Sequence, residues 1–487
     1  MAPAGAETLS YAVRPRVVAH FLGQLGLMLA LLTAAPLLAS LWFREFAATW
    51  RYGLVVLALL ALSWPAARLR VPRGVQRNEA FTVTALAFLL APLAMVFPIH
   101  GATELDFVPA LFEAVSAATT TGLTMVPAPE AQPRTFLFAR AWMQWYGGLG
   151  IAVLSIALLM GQAVATHRLV DAAATETFVT TSRTHARRVL QVYAGLTVLA
   201  IAVLALLAGD FEEGLLHALA AVSTGGFSTH GDSLAATSTP FASAVLGCSL
   251  LGAITLPLYY GLFRERASRL RRDREWSWFL AAVLAGAGLL GAALYLGAGL
   301  APGEAVRQAL LLSASAQSTA GFSVLAPAEL PAVALGVLLA QMLVGGCVGS
   351  TAGGVKILNL LILVRALRMT LARAGMGPHA VARLRLFGEA LEPRTLERVL
   401  LLLVLYGLVV FLSWLLFLAH GLPPLASLFE VVSATGTVGL SAGIAGPELP
   451  PLLALVLCFD MLAGRVEVVA LLVALWPGTW IGRRQAA

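Results

Sequence analysis

STGGFS, residues Ser223–Ser228, occurs in near-copy three more times in this chain, and the recurrence indicates how the chain folds. The other copies are TTTGLT (Thr119–Thr124), STAGFS (Ser318–Ser323) and GTVGLS (Gly436–Ser441). In every copy a threonine stands two residues before an aligned glycine, and a large apolar residue and a hydroxyl follow that glycine. Each copy lies between strongly apolar stretches. Four such units in one membrane protein would place four small-residue loops around one pore.

The aligned residues have the chemistry of a cation filter. Rings of backbone carbonyls can replace an ion's hydration shell, and glycine permits the backbone angles that turn carbonyls toward an axis. Irregular backbone at membrane depth is tolerated where it lines a cavity or is buried in protein. Packing of small residues between helices also enriches Gly, Ser and Thr, but it needs no fixed order of residues. The predicted filter residues are Thr120, Thr121, Gly122, Thr224, Gly225, Gly226, Thr319, Ala320, Gly321, Thr437, Val438 and Gly439.

The composition independently indicates a membrane protein. The chain has 487 residues, of which 59% are hydrophobic and only 12% charged, whereas soluble domains carry about 25% charge. The net charge of +7 comes from arginines clustered in four connections, residues 68–77, 183–188, 264–275 and 365–398. This distribution follows the positive-inside rule and places these connections and both termini in the cytoplasm. It argues against nucleic-acid binding.

Other function classes find little support. The three cysteines, Cys248, Cys347 and Cys458, form no spaced framework, so neither a disulfide scaffold nor a zinc site is expected. The sequence has no HExxH, Walker or serine-elbow motif, so we expect no enzyme. Acidic residues such as Glu104, Asp106 and Glu448 lie in the opposite loops. They would attract cations to an outer mouth, or they are ordinary solvated charges.

The predicted fold is an all-α membrane protein with ten spanning segments. Two extra N-terminal helices come first, and four repeats of outer helix, half-length re-entrant helix, filter loop and inner helix surround a central pore. The second and fourth inner helices are predicted as continuous over Phe241–Phe263 and Leu449–Trp480. The expected units are 1–78 for the N-terminal pair, then 79–170, 171–275, 276–392 with a broken inner helix, and 393–487.

The third inner segment is far longer than a bilayer requires and is rich in glycine at its middle. Glycine at this density breaks a helix, which predicts an intramembrane loop (residues 345–357) beneath the filter. The loop would act as a gate, and Lys356, the only lysine of the chain, would add a movable positive charge. A kink with Lys356 extending to the interface is the alternative. The candidate gate residues of the loop are Gly345, Gly346, Gly349, Ser350, Thr351, Gly353, Gly354 and Lys356.

Three further ionisable residues lie in apolar surroundings. Arg465 either faces the pore, where it would set an electrostatic barrier and join the gate, or pairs with Asp460 or Glu467. Glu113 and Glu430 stand nine residues before their filter glycines. They either lower the energy of a cation or support the filter backbone, and we favour support.

Three further motifs resemble the Trk/Ktr/HKT superfamily of potassium transporters. RAWMQWYGGLGI (Arg140–Ile151), GGCVGSTAGGVKI (Gly345–Ile357) and MLAGRVEVV (Met461–Val469) are similar to its first, third and fourth inner helices. The two extra N-terminal helices are typical of its bacterial TrkH branch. The resemblance covers about Ala80–Trp480.

The resemblance implies potassium uptake across the bacterial inner membrane, with glycine at all four filter positions. K⁺ would be the transported ion, with no covalently bound cofactor. Its implied ligands are the backbone carbonyls of Thr120, Thr121, Thr224, Gly225, Thr319, Ala320, Thr437 and Val438. Implied partners are a second copy in a homodimer, a cytosolic nucleotide-binding TrkA-like regulatory subunit, and membrane lipid. Sodium- or proton-coupled symport, or a non-conducting assembly role, are the alternatives.

Overall fold

The computed structural model describes residues 12–481 apart from 73–74, 168–173, 266–273, 376–383, 388 and 467. Three of the four arginine-rich connections, 68–77, 264–275 and 365–398, are therefore described only in part, and Glu467 lies outside the described residues. The first helices are α1 (Pro15–Trp42) and α2 (Phe46–Ala67). They pack as a pair against each other and against the third helix of the chain.

After this pair, one order of elements occurs four times in the described part of the chain. The outer helices are α3 (Arg77–Thr103), α6 (Ala174–Ala208), α10 (Glu275–Gly297) and α14 (Pro393–Ala419). The short pore helices are α4 (Phe107–Ala118), α7 (Phe211–Val222), α11 (Pro302–Ser318) and α15 (Pro424–Thr435).

The inner helices are more irregular. They comprise α5 (Arg134–His167), α8 (Thr239–Ala253) with α9 (Leu256–Glu265), α12 (Ala332–Val344) with α13 (Ile357–Ala374), and α16 (Pro451–Val466) with α17 (Val468–Leu475) and α18 (Pro477–Trp480). The strands of the described residues form a single two-residue hairpin, Arg385–Leu386 with Glu389–Ala390. The predicted all-α fold is confirmed.

The surface is apolar where a bilayer would contact it. Six helices of the described residues are long and apolar enough to cross a membrane, namely α1, α2, α3, α6, α10 and α14. Large side chains on them face outward, and Leu206 and Leu296 are 82% and 81% exposed. The ten predicted spanning segments thus divide into six long helices and inner segments that include shorter pieces. The chain is a multi-pass membrane protein.

The pore helices occupy the centre of the molecule. Three of them have 12 residues and the other has 17, so each is shorter than the roughly 20 residues that a bilayer requires. Every residue of their last two turns is buried, from Phe112 to Ala118 in α4 and from Phe429 to Thr435 in α15. The outer and inner helices therefore enclose them.

Two inner helices differ from the continuous helices predicted from sequence. The second is interrupted at Ile254 and Thr255, because Pro257 at the start of α9 cannot donate a backbone hydrogen bond to α8. The amide of Leu256 instead donates to the carbonyl of Gly349 in the third repeat at 3.1 Å. The fourth is interrupted at Trp476, and α18 begins at Pro477.

Candidate functional site

The four small-residue loops share one backbone conformation. Their threonines have left-handed φ values of 48–55°, and their glycines have φ values of 75–96°. A left-handed conformation is uncommon for a residue with a Cβ, so the surroundings must hold the threonine in it. In each loop the next residue donates a backbone hydrogen bond of 2.7–3.0 Å to a carbonyl five residues earlier, in the pore helix. The acceptors are Ser116, Ala220, Ser315 and Ser433.

The four glycines fit against one another in a closed ring. A Cβ added to Gly122 would collide with the carbonyl oxygen of Gly225, and the same relation links each repeat to the next. The remaining contacts are Gly226 with the carbonyl of Ala320, Gly321 with that of Val438, and Gly439 with that of Thr121. The loops therefore meet in the cyclic order one, two, three, four. Only glycine allows this approach.

The threonine hydroxyls lie on the side of this ring that faces the intramembrane loop. The hydroxyls of Thr120 and Thr437 are buried and have no hydrogen-bond partner among the described residues. Thr319 Oγ1 accepts the amide of Gly353 at 2.7 Å, and Thr224 Oγ1 lies 3.3 Å from Thr351 Oγ1. The Thr437 hydroxyl also lies against the intramembrane loop, because a Cβ added to Gly353 would collide with it. Three of the four hydroxyls thus lie beside the loop, and those of Thr120 and Thr437 keep their hydrogen-bonding capacity for water or an ion.

Carboxylates support the loops of repeats one and four from behind. Glu113 accepts the Thr124 hydroxyl at 2.6 Å and the Met125 amide at 2.5 Å. Glu430 accepts the Ser441 hydroxyl at 2.8 Å and the amides of Ala442 and Ala445 at 3.0 Å. These bonds fasten the segment after each filter glycine to its pore helix, as a supporting role requires.

Repeats two and three have other residue types nine positions before the aligned glycine, where repeats one and four have Glu113 and Glu430. His217 Nε2 lies 3.2 Å from Ser228 Oγ, which follows the second filter glycine. Leu312 is fully buried in the apolar core. The same place in the four repeats thus holds two carboxylates, one imidazole and one aliphatic side chain.

Two residues of the first inner helix reach the second filter loop, and the sequence analysis did not select them. Gln144 Nε2 donates to the carbonyl of Gly225 at 2.5 Å, and its Oε1 accepts the Phe227 amide at 3.3 Å. Arg140 donates to the carbonyl of Ser228 at 2.5 Å and lies 3.8 Å from Glu113. The two residues are four apart, so they share one face of α5.

The intramembrane loop connects α12 to α13 and lies against the inner ends of three repeats. The hydroxyl of Thr351 donates to the carbonyls of Val222 at 3.1 Å and Gly252 at 3.0 Å, both in repeat two. The amide of Gly354 donates to the carbonyl of Gly436 in repeat four at 3.1 Å. Gln317, at the end of pore helix α11, donates to the carbonyl of Gly345 at 2.7 Å.

Glu275 also holds this loop, although the sequence analysis placed it at the end of an arginine-rich connection, residues 264–275. Its side chain is buried, and Oε1 accepts the amide of Val348 at 2.8 Å. The hydroxyl of Thr255, at the break in the second inner helix, donates to the carbonyl of Val348 at 2.9 Å. A charge at the end of a run of arginines gives no sequence signal of such a contact.

Arg465 is buried and joins the loop to the first inner helix. Its guanidinium donates to the carbonyl of Thr351 at 2.8 Å and to that of Gly147 at 3.2 Å. Among the described residues it has no carboxylate within ion-pair distance, whereas Asp460 accepts the hydroxyl of Ser413 at 2.7 Å. The predicted alternative of an Arg465–Asp460 pair is therefore not what the described contacts show.

Lys356 lies at the start of α13, and its ammonium donates to the carbonyl of Ala352 within the loop. Lys356, Arg465 and Tyr406 line a cavity of about 60 Å³ beside the loop. A cavity of this size has room for a few water molecules. The positive charges of the loop region therefore border a small space beside the intramembrane loop.

Glycines on three inner helices receive the ends of the pore helices. In each case a Cβ added to the glycine would collide with a carbonyl at the end of the pore helix of the same repeat. The pairs are Gly147 with Ala118, Gly252 with Val222, and Gly464 with Thr435. Each of these carbonyls belongs to the residue four before the aligned glycine of its repeat. The third repeat has Gln317 at this position, which bonds the loop instead. A glycine in an apolar helix is a common packing residue, so the sequence alone does not distinguish these three.

The fold and the ring of loops define a class of protein, a single-chain membrane protein with four pore-helix repeats around a shared axis. The family model for TrkH, described as a cation transport protein, matches residues 55–284 and 294–477. The chain belongs to this family. Its members are transporters, which confirms the prediction that the chain is not an enzyme.

Individual relatives extend over almost the whole chain. A Trk system potassium uptake protein TrkH of Vibrio parahaemolyticus is 30% identical, with 93% of this chain and 98% of the relative covered. An uncharacterized cation transporter of Methanocaldococcus jannaschii is 26% identical, with 94% of each chain covered. The crystal structure of the potassium transporter TrkH from V. parahaemolyticus matches with a TM-score of 0.86 and 25% identity, covering 96% of this chain and 100% of that one.

Proposed function

We propose that this protein takes up potassium across the bacterial inner membrane through the ring of four loops. The observation that carries the proposal is the cyclic glycine-to-carbonyl contact, because it places equivalent carbonyls of four repeats around one axis. Relatives named as potassium uptake proteins support the choice of ion. The proposed ligands are the carbonyls of Thr120, Thr121, Thr224, Gly225, Thr319, Ala320, Thr437 and Val438.

The buried hydroxyls of Thr120 and Thr437 support the proposal. A buried polar group without a partner costs about 1–3 kcal/mol, and both hydroxyls lie on the side of the ring that faces the intramembrane loop. A partly dehydrated cation or its water would supply the missing partner. K⁺ is the transported substrate in this proposal, and no other cofactor is required.

The intramembrane loop is proposed as the gate. It lies directly beneath the ring, where Thr351 and Gly353 contact the threonines of repeats two and three. Arg465 fastens it to repeats one and four through Thr351 and Gly147. Opening would require these bonds to break together, and it would move the charges of Lys356 and Arg465 relative to the ion path.

We extend the proposal to the assembly and its orientation. The protein would be a homodimer with both termini in the cytoplasm, and its repeats would divide at 79–170, 171–275, 276–392 and 393–487. A cytosolic TrkA-like nucleotide-binding subunit would dock on the arginine-rich connections and control the loop. Several arginines carry the described part of this surface, among them Arg365, Arg368, Arg373 and Arg394.

The experiment is rubidium and sodium flux into proteoliposomes that hold the purified chain, with and without Gly122→Ser. Serine at φ +90° would strain the loop and press on the carbonyl of Gly225, so we expect the preference for rubidium over sodium to fall. Gly299→Ser is the matched control, because Gly299 also has a positive φ but no atom near its Cβ position. Equal flux of both ions before and after Gly122→Ser would contradict the proposal.

A coupled symporter is the second candidate, and Asp460 is the observation in its favour. This carboxylate is buried in α16, and its Oδ2 has no hydrogen-bond partner among the described residues. Ionisable residues at membrane depth commonly mark ion or proton pathways. If transport is coupled, a proton or sodium gradient will drive rubidium accumulation, and Asp460→Asn will abolish the driven component. Flux that responds only to the rubidium gradient would favour a channel.

A further inference from the structure

An apolar groove of about 400 Å³ opens on the membrane face of the second repeat. Leu199 and Val203 of α6 line one side, and Cys248 and Leu251 of α8 line the other. Leu199 is 56% exposed, and Val203 and Leu251 are each 38% exposed. Both helices are apolar along this length, and residues 186–208 of α6 form one of the candidate spans. The medium around the groove is therefore bilayer hydrocarbon.

The floor of the groove is the end of a pore helix. Val222, the last residue of α7, lines the groove. Its carbonyl accepts the hydroxyl of Thr351, and the same hydroxyl also donates to Gly252, the neighbour of Leu251. The groove thus reaches the residues that hold the intramembrane loop.

A basic residue lies on the same face of α6 toward the cytoplasmic end. Arg188, Val192, Leu196, Leu199 and Val203 follow at helical spacings of three and four, so they form one stripe. Arg188 precedes Leu196 by eight residues, which is about 12 Å along a helix. Its guanidinium lies 4.3 Å from the ring of Tyr260 on α9. Stacking occupies the planar face of a guanidinium and leaves its N–H edge for a phosphate.

We propose that a bilayer phospholipid occupies this site, with its phosphate at Arg188 and one acyl chain in the groove against Val222. Charge complementarity at Arg188 and the apolar stripe beyond it fit a single amphipathic ligand of this length. Most arginines of such a protein meet lipid headgroups non-specifically. Here the stripe leads from the arginine to a preformed groove, which would retain the lipid.

The test is cross-linking by a phosphatidylglycerol that carries a diazirine at the middle of one acyl chain, in proteoliposomes of the full chain. We expect adducts on groove residues well above those on exposed leucines such as Leu206 and Leu296. Gly247→Leu should remove most groove adducts, because Gly247 lines the groove with no atom near its Cβ position. Gly288→Leu, on the exposed face of α10 with similarly open space and away from the groove, is the matched control.

Arg188→Gln tests the headgroup contact separately. A hydrogen bond to a charged group is worth about 1.5–3 kcal/mol, so cross-linking at low probe concentration should fall by about tenfold or more. Adducts spread evenly over lipid-facing residues would overturn the proposal. So would protection of the groove by a second copy of the chain. None of these readouts depends on ion flux, so the lipid site can fail without the potassium proposal failing, and the reverse.

Discussion

Glu430 illustrates how a single side chain sets the shape of a loop that it does not belong to. The carboxylate is buried and holds three donors from the segment after Gly439, which are the Ser441 hydroxyl and the amides of Ala442 and Ala445. An anion that accepts several hydrogen bonds in a dry site fixes the positions of its donors. The filter loop of repeat four is therefore held from behind as well as by its own backbone.

Glu430→Gln should weaken this loop. An amide offers one acceptor oxygen, and its NH₂ group would face donors, so about 1–3 kcal/mol of the free energy of unfolding should be lost. We expect a lower midpoint of thermal unfolding in detergent and a smaller stabilisation of that midpoint by added potassium. Glu448→Gln, in the exposed loop after the fourth small-residue motif, should leave both quantities unchanged. An unaltered response of the Glu430 variant to potassium would show that the carboxylate does not support an ion site.

At the residue scale, the sequence singled out the repeated motif and ionisable residues in apolar segments, and it missed residues whose contacts arise only in the tertiary fold. The threonines and glycines of the predicted filter were selected because four copies of the motif align, and the four loops meet in one ring. Gln144 and Glu275 were missed, because each makes contacts across repeats that no local pattern encodes. Arg465 was selected for its depth in an apolar segment, but its bonds to Thr351 and Gly147 depend on the tertiary fold.

At the scale of elements, the pore helices are seated on inner-helix glycines. Gly464→Ala should displace α15, because the added methyl group would press on the carbonyl of Thr435. Overpacking of this kind typically costs about 1–3 kcal/mol, and we expect a lower thermal midpoint together with reduced rubidium flux. Gly407→Ala in α14 is the control, since its Cβ position is open. If the Gly464 variant is as stable as the control, α16 can move enough to accommodate the added methyl group, and the glycine is not required for packing against α15.

Removal of the Thr351 hydroxyl should weaken the attachment of the intramembrane loop to repeat two. Thr351→Val keeps the shape of the side chain but removes its bonds to the carbonyls of Val222 and Gly252. We expect the loop to leave its closed position more often and rubidium flux without any partner protein to rise by several-fold. Thr370→Val removes a comparable bond to Ala366 on an exposed helix and should not change flux. Lower flux in the Thr351 variant would mean that the loop supports conduction.

The four half-length pore helices were predictable, because in each repeat a short apolar run ends in a small-residue loop. The break in the second inner helix was not predicted. Pro257 alone is compatible with a kink, and the break becomes stable because Thr255 and Leu256 bond to Val348 and Gly349 of the third repeat. Such long-range compensation is invisible in a local pattern.

At the scale of the whole molecule, the distribution of charged residues between the two sets of loops predicts the orientation of the protein in the membrane. Arginine-rich connections follow the inner helices, while Glu448 lies in the loop after the fourth filter. A membrane-impermeant maleimide applied to intact cells should label Glu448→Cys and not Arg394→Cys, both of which are exposed positions. The unchanged chain is the control, since Cys347 and Cys458 are buried and Cys248 lines the membrane face. Labelling in the reverse pattern would invert the proposed topology.

The closed ring of glycine and carbonyl contacts has an evolutionary consequence. In a channel of four identical subunits, every substitution near the axis is copied four times, and a change that one quadrant would tolerate can be fatal when quadrupled. Here each quadrant is encoded separately, so the backbone geometry stays fourfold while its backing differs: Glu113, His217, Leu312 and Glu430 occupy one equivalent position. A single chain with four separately encoded quadrants thus allows substitutions to adjust the surroundings of the ring one quarter at a time.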